Sequence, residues 1–250
     1  MLLRRFFFSL FALPLITGFV FTTITSATAA ETGSEVKVVE LFTSQGCSSC
    51  PPADALLESY VNRQDVVALS YSVDYWDYLG WRDTFGSAAN SERQRAYAKR
   101  RGDRAVYTPQ AVVNGLAHAN GAQKIAISKK IKQTQADLKQ LPVQLSYSKD
   151  GDTLVVTANS PVERWAEPPV LWLVHVKDVG RVQVKRGENL GKTLEYHNVV
   201  LGVEKIATMN GAQLQAKVAR DKVFPRRGEH GVFLVQLGST GPILAALEAK

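Results

Sequence analysis

Between residues 35 and 140 the apolar positions switch repeatedly between two periods. Residues 36–42 (VKVVELF) form an apolar, β-branched run of the kind that builds a buried strand. Residues 53–62 (ADALLESYVN) instead group Leu56, Leu57, Tyr60 and Val61 on one helical face. A second strand is predicted at 65–73 (DVVALSYSV), and a polar, strongly charged helix at 87–101. A third strand at 111–113 runs into an Asn114-Gly115 turn, and Ile127, Ile131, Leu138 and Leu141 mark a further helix. Such alternation predicts βαβ units and an α/β sheet. Beyond Pro142 the helical period fades. Leu145 and Tyr147 alternate with polar residues, and Asp150-Gly151 is a hairpin signal before 154–156. Strands follow at 170–176, 181–184, 193–203, 213–218 and 232–237, punctuated by Gly, Asp and Asn. The expected fold class is an α/β unit over 31–140 followed by a mostly β, sandwich-like domain over 141–250.

The first thirty residues follow a different logic. Arg4 and Arg5 precede an apolar stretch from Phe6 to Phe21, and Ala27-Thr28-Ala29 supplies the small residues of a cleavage site. This is the pattern of a secretory signal peptide, removed after Ala29 or Ala30. Pro14 and Gly18 interrupt the apolar run, which is short for a membrane span, so no stable membrane anchor is expected after cleavage. The expected location is periplasmic or secreted, where paired thiols oxidise. The formal net charge of +7 includes Arg4 and Arg5. The remaining excess is too modest to indicate nucleic-acid binding. The basic residues Arg93, Arg95, Lys99, Arg100, Arg101 and Arg104 read as a solvated helix face.

Only two cysteines occur, Cys47 and Cys50. That count excludes a disulfide-stapled scaffold and an all-cysteine zinc site. The loop QGCSSCPP follows a strand and opens a helix with prolines in its first turn, where no donor is needed. A thiolate at a helix N-terminus is stabilised by free N–H groups and the dipole. Lowering a thiol from about 8.5 to about 7 leaves half of it ionised at neutral pH. Cys47, expected to be the more exposed member, would attack a partner disulfide, and Cys50 would resolve the mixed disulfide. Two other readings stay open at this point, an inert disulfide and a copper or zinc site using both thiolates. His118, His175, His197 and His230 are remote in sequence, and no metal-ligand set or cofactor motif is assigned.

Residues 36–62, with GCSSCPP between strand and helix, resemble the opening of a thioredoxin-fold domain. The segment VYTPQAVVNG at 106–115 resembles the Thr–cis-Pro, strand and hairpin of the same family. The resemblance implies that Pro109 faces the CxxC pair and that Thr108 offers backbone hydrogen bonds to a bound peptide or thiol. It also implies a buried carboxylate that handles the Cys50 proton, a role that falls on Glu40, whose other reading is an edge-facing acid. More closely, ELFTSQGCSSCPPAD, VDYWDYLGW, TPQAVVNG and ENLGKTLEYHNVV resemble bacterial secreted proteins of the domain of unknown function 1223 family. The Ser48-Ser49 dipeptide departs from ordinary thioredoxins and brings no charge to Cys47.

The aromatic stretch at 74–83 follows a strand, so Trp76 and Trp81 are candidate walls of a substrate groove, or else pack beneath the loop. Asp74 is a second candidate proton acceptor. These residues together point to an exported thiol-disulfide oxidoreductase acting on protein or small-molecule thiols and disulfides. The competing readings are a non-enzymatic binding module with a permanent disulfide and a copper- or zinc-handling protein.

Overall fold

The computed structural model describes residues 31–33 and 37–250, and the leader read at 1–30 lies outside them. In chain order the elements are β1 (Glu31–Gly33), β2 (Val38–Thr43), α1 (Pro51–Val61), β3 (Val67–Ser72) and α2 (Ala88–Arg101). They continue with β4 (Gln110–Val113), β5 (Ala117–Asn120), α3 (Lys124–Leu138), β6 (Gln144–Asp150) and β7 (Thr153–Asn159). The chain ends with β8 (Pro169–Gln183), β9 (Thr193–Thr208), β10 (Gln213–Ala219), α4 (Arg220–Val223), β11 (Glu229–Leu237) and β12 (Ile243–Glu248). A 3-10 turn at Asp77–Leu79 lies within the aromatic stretch.

Most local expectations correspond to real elements, but the strands expected at 170–176 and 181–184 are one strand, β8, β12 was not expected, and the assembly differs from the expected fold class. The protein is mostly β. One mixed eight-stranded sheet runs β12-β11-β8-β9-β3-β2-β4-β5, and a four-stranded sheet runs β1-β6-β7-β10. An α/β thioredoxin-like domain followed by a separate sandwich is therefore not the architecture. The decisive contact is a parallel pairing of β3 with β9, Ser70 opposite Val199. All six residues of β2 are buried, as are the last five of β3. Strands buried on both faces suit the interior of a large sheet. Apolar alternation predicts which face of a strand is buried, not which edge it pairs with, so the join was invisible in the pattern.

The core follows the sheet. One buried cluster combines Val38, Phe42, Leu69, Tyr71 and Val112 with Val174, Val200, Val232, Leu234 and Ile243. A second lies under α1 and α3, where Leu57 and Tyr60 meet Val39, Leu41, Ile127 and Ile131. The small sheet covers β8 and β11 through Leu145, Tyr147 and Val156 against Leu173 and Phe233. The predicted Asn114-Gly115 turn joins β4 to β5 with φ of 50° and 69°, the left-handed values a tight hairpin needs. It is also pinned from both sides. Asn114 Oδ1 accepts from Val38 N at 2.7 Å, and its carbonyl accepts from Ile243 N at 2.9 Å.

The charged helix α2 is not wholly a solvated face. Ser87 caps it by accepting from Asn90 N at 3.2 Å, and Gly102 closes it with φ of 77°. Arg93, however, turns inward. Its Nε donates to Glu40 Oε1 at 2.8 Å and its Nη2 donates to Tyr97 Oη at 2.8 Å, with Gln236 Oε1 accepting at 3.1 Å. One cation thus ties β2, α2 and β11 together.

Candidate functional site

Cys47 and Cys50 are joined by a disulfide with Cα atoms 5.4 Å apart. The loop winds into α1 through backbone bonds, Cys50 N to Cys47 O at 3.2 Å and Ala53 N to Cys50 O at 2.8 Å. Pro51 and Pro52 occupy the first two helical positions, where a missing N–H leaves nothing unpaired. The sequence reading made Cys47 the exposed member. Instead both sulfur residues are covered, Cys47 at 1% and Cys50 at 0% exposure, while Ser48 and Ser49 face solvent.

Three segments remote in sequence build the surroundings. The first is the aromatic loop after β3. Trp76 packs so closely on Gly46 that a Cβ there would lie 2.9 Å from the Trp76 Cβ. Its indole N–H donates to Thr108 Oγ1 at 2.8 Å, and the Thr108–Pro109 bond is cis. Trp76 therefore bridges the cysteine loop to the Thr-Pro segment. Trp81 donates to Gln45 Oε1 at 2.8 Å, so both indoles are part-buried braces of the loop. Gln45 N donates to Asp83 Oδ2 at 2.7 Å.

The second segment is the tip joining β8 to β9. Asn189, fully buried, donates through Nδ2 to the carbonyls of Gln45 and Cys47, each at 2.9 Å. Glu188 accepts from Ser48 N at 3.1 Å. These bonds hold the tip against the backbone of the loop that carries Cys47.

The third group is a set of carboxyls. Glu40 is entirely buried, and its oxygens hold Arg93 and Tyr97, the latter donating at 2.6 Å. Asp74 accepts from Ser91 Oγ at 2.5 Å, which ties it to α2. Asp54, four residues after Cys50 and bonded to its carbonyl through Asp54 N at 3.1 Å, is different. It is 5% exposed, and neither carboxyl oxygen reaches a hydrogen-bond partner among the described residues. The Thr43 hydroxyl faces it and offsets part of the burial but stays outside hydrogen-bond geometry. Burial pushes the Asp54 carboxyl up to about 8, and the nearby Asp83 charge adds to the shift. Tyr196, 1% exposed, presents a second unpartnered oxygen to the same pocket, its hydroxyl raised by burial and by Asp54 and Asp83. Among the described residues no group of three or more His, Cys, Asp or Glu side chains converges as a metal site.

Sequence reasoning singled out Cys47, Cys50, Trp76, Trp81, Thr108 and Pro109, and hydrogen bonds or close contacts link these segments. It missed Asp54, Gln45, Asp83, Glu188 and Asn189. Asp54 had a legible signal, because residues four apart share a helix face and Cys50 opens the helix. Nothing local marks Asn189.

A protein of Agrobacterium tumefaciens solved by X-ray crystallography is 32% identical, with a TM-score of 0.71, over 86% of this chain and 94% of its own. HBP35 of Porphyromonas gingivalis shares the fold with a TM-score of 0.55 at 14% identity, over 86% of this chain and 75% of its own. No curated protein matches the chain. The profile of DUF1223, a protein family of unknown function, matches residues 38–236, and the chain belongs to that family.

Proposed function

We propose that Cys47 and Cys50 are a thiol–disulfide exchange centre, working outside the cytoplasm on thiols or disulfides of proteins or small molecules. The observation that carries this reading is Asp54, a buried, unpartnered carboxyl one helical turn beyond Cys50. A plain staple needs no such group, and an isolated buried acid is costly unless neutral. A partner thiolate attacks Cys47 Sγ and breaks its bond to Cys50. The departing Cys50 thiolate takes the Asp54 proton. A second partner thiolate then attacks the mixed disulfide and releases Cys47, so two partner thiols are oxidised as the pair is reduced. The start of α1 stabilises the released Cys47 thiolate. Thr108 and Pro109, linked to the loop through Trp76, position the partner.

The test is trapping. Cys50→Ala leaves Cys47 unable to be resolved, so incubation with a disulfide-containing peptide accumulates a mixed disulfide at Cys47. No adduct, together with a Cys47–Cys50 bond that resists dithiothreitol in the unfolded chain's working range of concentration, overturns the reading. The burial of both cysteines favours one alternative in that event, a binding scaffold with a permanent disulfide.

A further inference from the structure

The turn between β8 and β9 is anchored to the cysteine loop at one buried point. Across residues 185–193 every side chain is exposed except Asn189. Glycines with φ of 80° and 81°, at 187 and 191, shape the tip. Inside it, Lys192 N donates to Asn189 O at 3.1 Å and Lys192 Nζ donates to Asn189 Oδ1 at 2.9 Å. The side-chain oxygen is thereby held, and both amide hydrogens point to the carbonyls on either side of Gly46. Glu188 adds the Ser48 N–H, and Leu190 stands 66% exposed beside the anchor.

These groups cover the polar backbone edge that an incoming chain would use. Two loop carbonyls and one N–H are already paired by side chains 140 or more residues away. Attack on Cys47 Sγ requires a clear line opposite the Cys50 sulfur, and Cys47 is 1% exposed. Glu188 also places a carboxylate on the Ser48 N–H, next in the chain to Cys47. We infer that Glu188 and Asn189 form a specificity-determining strap, which a partner displaces by supplying its own donors to the Gln45 and Cys47 carbonyls. The inference rests on the exchange reading of Cys47, and it selects partners with backbone-like N–H donors over bare thiols.

The experiment is the rate at which dithiothreitol reduces the Cys47–Cys50 bond in the folded full chain, read by alkylation and mass. Loss of two hydrogen bonds to buried carbonyls favours opening by about tenfold or more, so Asn189→Ala accelerates reduction by about that factor. Glu188→Ala, at an exposed position, accelerates it by about twofold to fivefold. Wild-type rates in both folded variants overturn the strap. Should Asn189→Ala fail to fold by circular dichroism, Glu188→Ala decides, together with hydrogen exchange at the Ser48 amide, which must quicken in step with reduction. Trapping in Cys50→Ala reads the exchange chemistry separately. Accelerated reduction without trapping keeps the strap and removes the chemistry, and trapping with unaltered reduction does the reverse.

Discussion

Glu40 and Asp54, two of the buried acids, have opposite surroundings. Glu40, on β2, faces the α2 side and is held by the Arg93 guanidinium and the Tyr97 hydroxyl. Asp54, on α1, sits among Thr43, Asp83 and Tyr196 with no hydrogen bond to either oxygen. A charge removed from water must be paired or must give up its ionisation. Glu40 follows the first course and Asp54 the second. The paired acid fixes how strands from the two halves of the chain meet, because Arg93 also reaches Gln236 on β11. The unpaired acid, pushed up to about 8 by burial, is neutral at pH 7 one turn from Cys50. Burial of an acid thus has two electrostatic outcomes here, pairing at Glu40 and neutrality at Asp54.

The contrast breaks most visibly at Arg93. Arg93→Met leaves Glu40 buried without its cation, with an expected loss of about 3–5 kcal/mol, checked as a lowered urea midpoint at unchanged slope. Asp54 has the opposite sign. Its folded carboxyl titrates at about 8 against an ordinary 3.8, so the folded protein holds a proton that the unfolded chain has released. Stability therefore falls as pH rises through that window, by about 1.4 kcal/mol per unit or about 3 kcal/mol from pH 5 to 7. Asp54→Asn removes this slope, and parallel stability-against-pH curves for wild type and variant would contradict the assignment.

The smallest effects come from the two tyrosines. Tyr97 Oη serves Glu40, Arg93 and Gln236, whereas the Tyr196 hydroxyl has no partner among the described residues. Tyr97→Phe is expected to cost about 2 kcal/mol, since its hydrogen bonds reach charged groups. Tyr196→Phe is expected to lie within about 0.5 kcal/mol of wild type, because nothing is broken. Thermal unfolding of the pair distinguishes them, and equal losses would erase the contrast between the two pockets.

Particular residues show how far the sequence could be read. Ser87 and Gly102 bound α2 where the pattern put it, because caps act within one turn. The Asn114-Gly115 turn formed as written, because it needs only two left-handed residues. Arg93 looked like its basic neighbours on α2, and only the approach of Glu40, 53 positions earlier, distinguishes it. Glu40 was read as a proton handler or an edge-facing acid, and it lies fully buried in an ion pair with Arg93. Cys47 looked accessible, yet it is 1% exposed, and its carbonyl is bonded by Asn189, 142 residues away.

The sequence by itself determined most of the strands and helices, both ends of α2, and the placement of a cysteine pair at a helix start. All of these depend on periods and caps that act over a few residues. Tertiary structure alone decided that β3 pairs with β9, that Arg93 meets Glu40, that burial raises the Asp54 carboxyl and that the β8–β9 tip bonds to the cysteine loop. Each of those depends on which distant surfaces exclude water together, and hydrophobic pattern specifies burial without naming the partner.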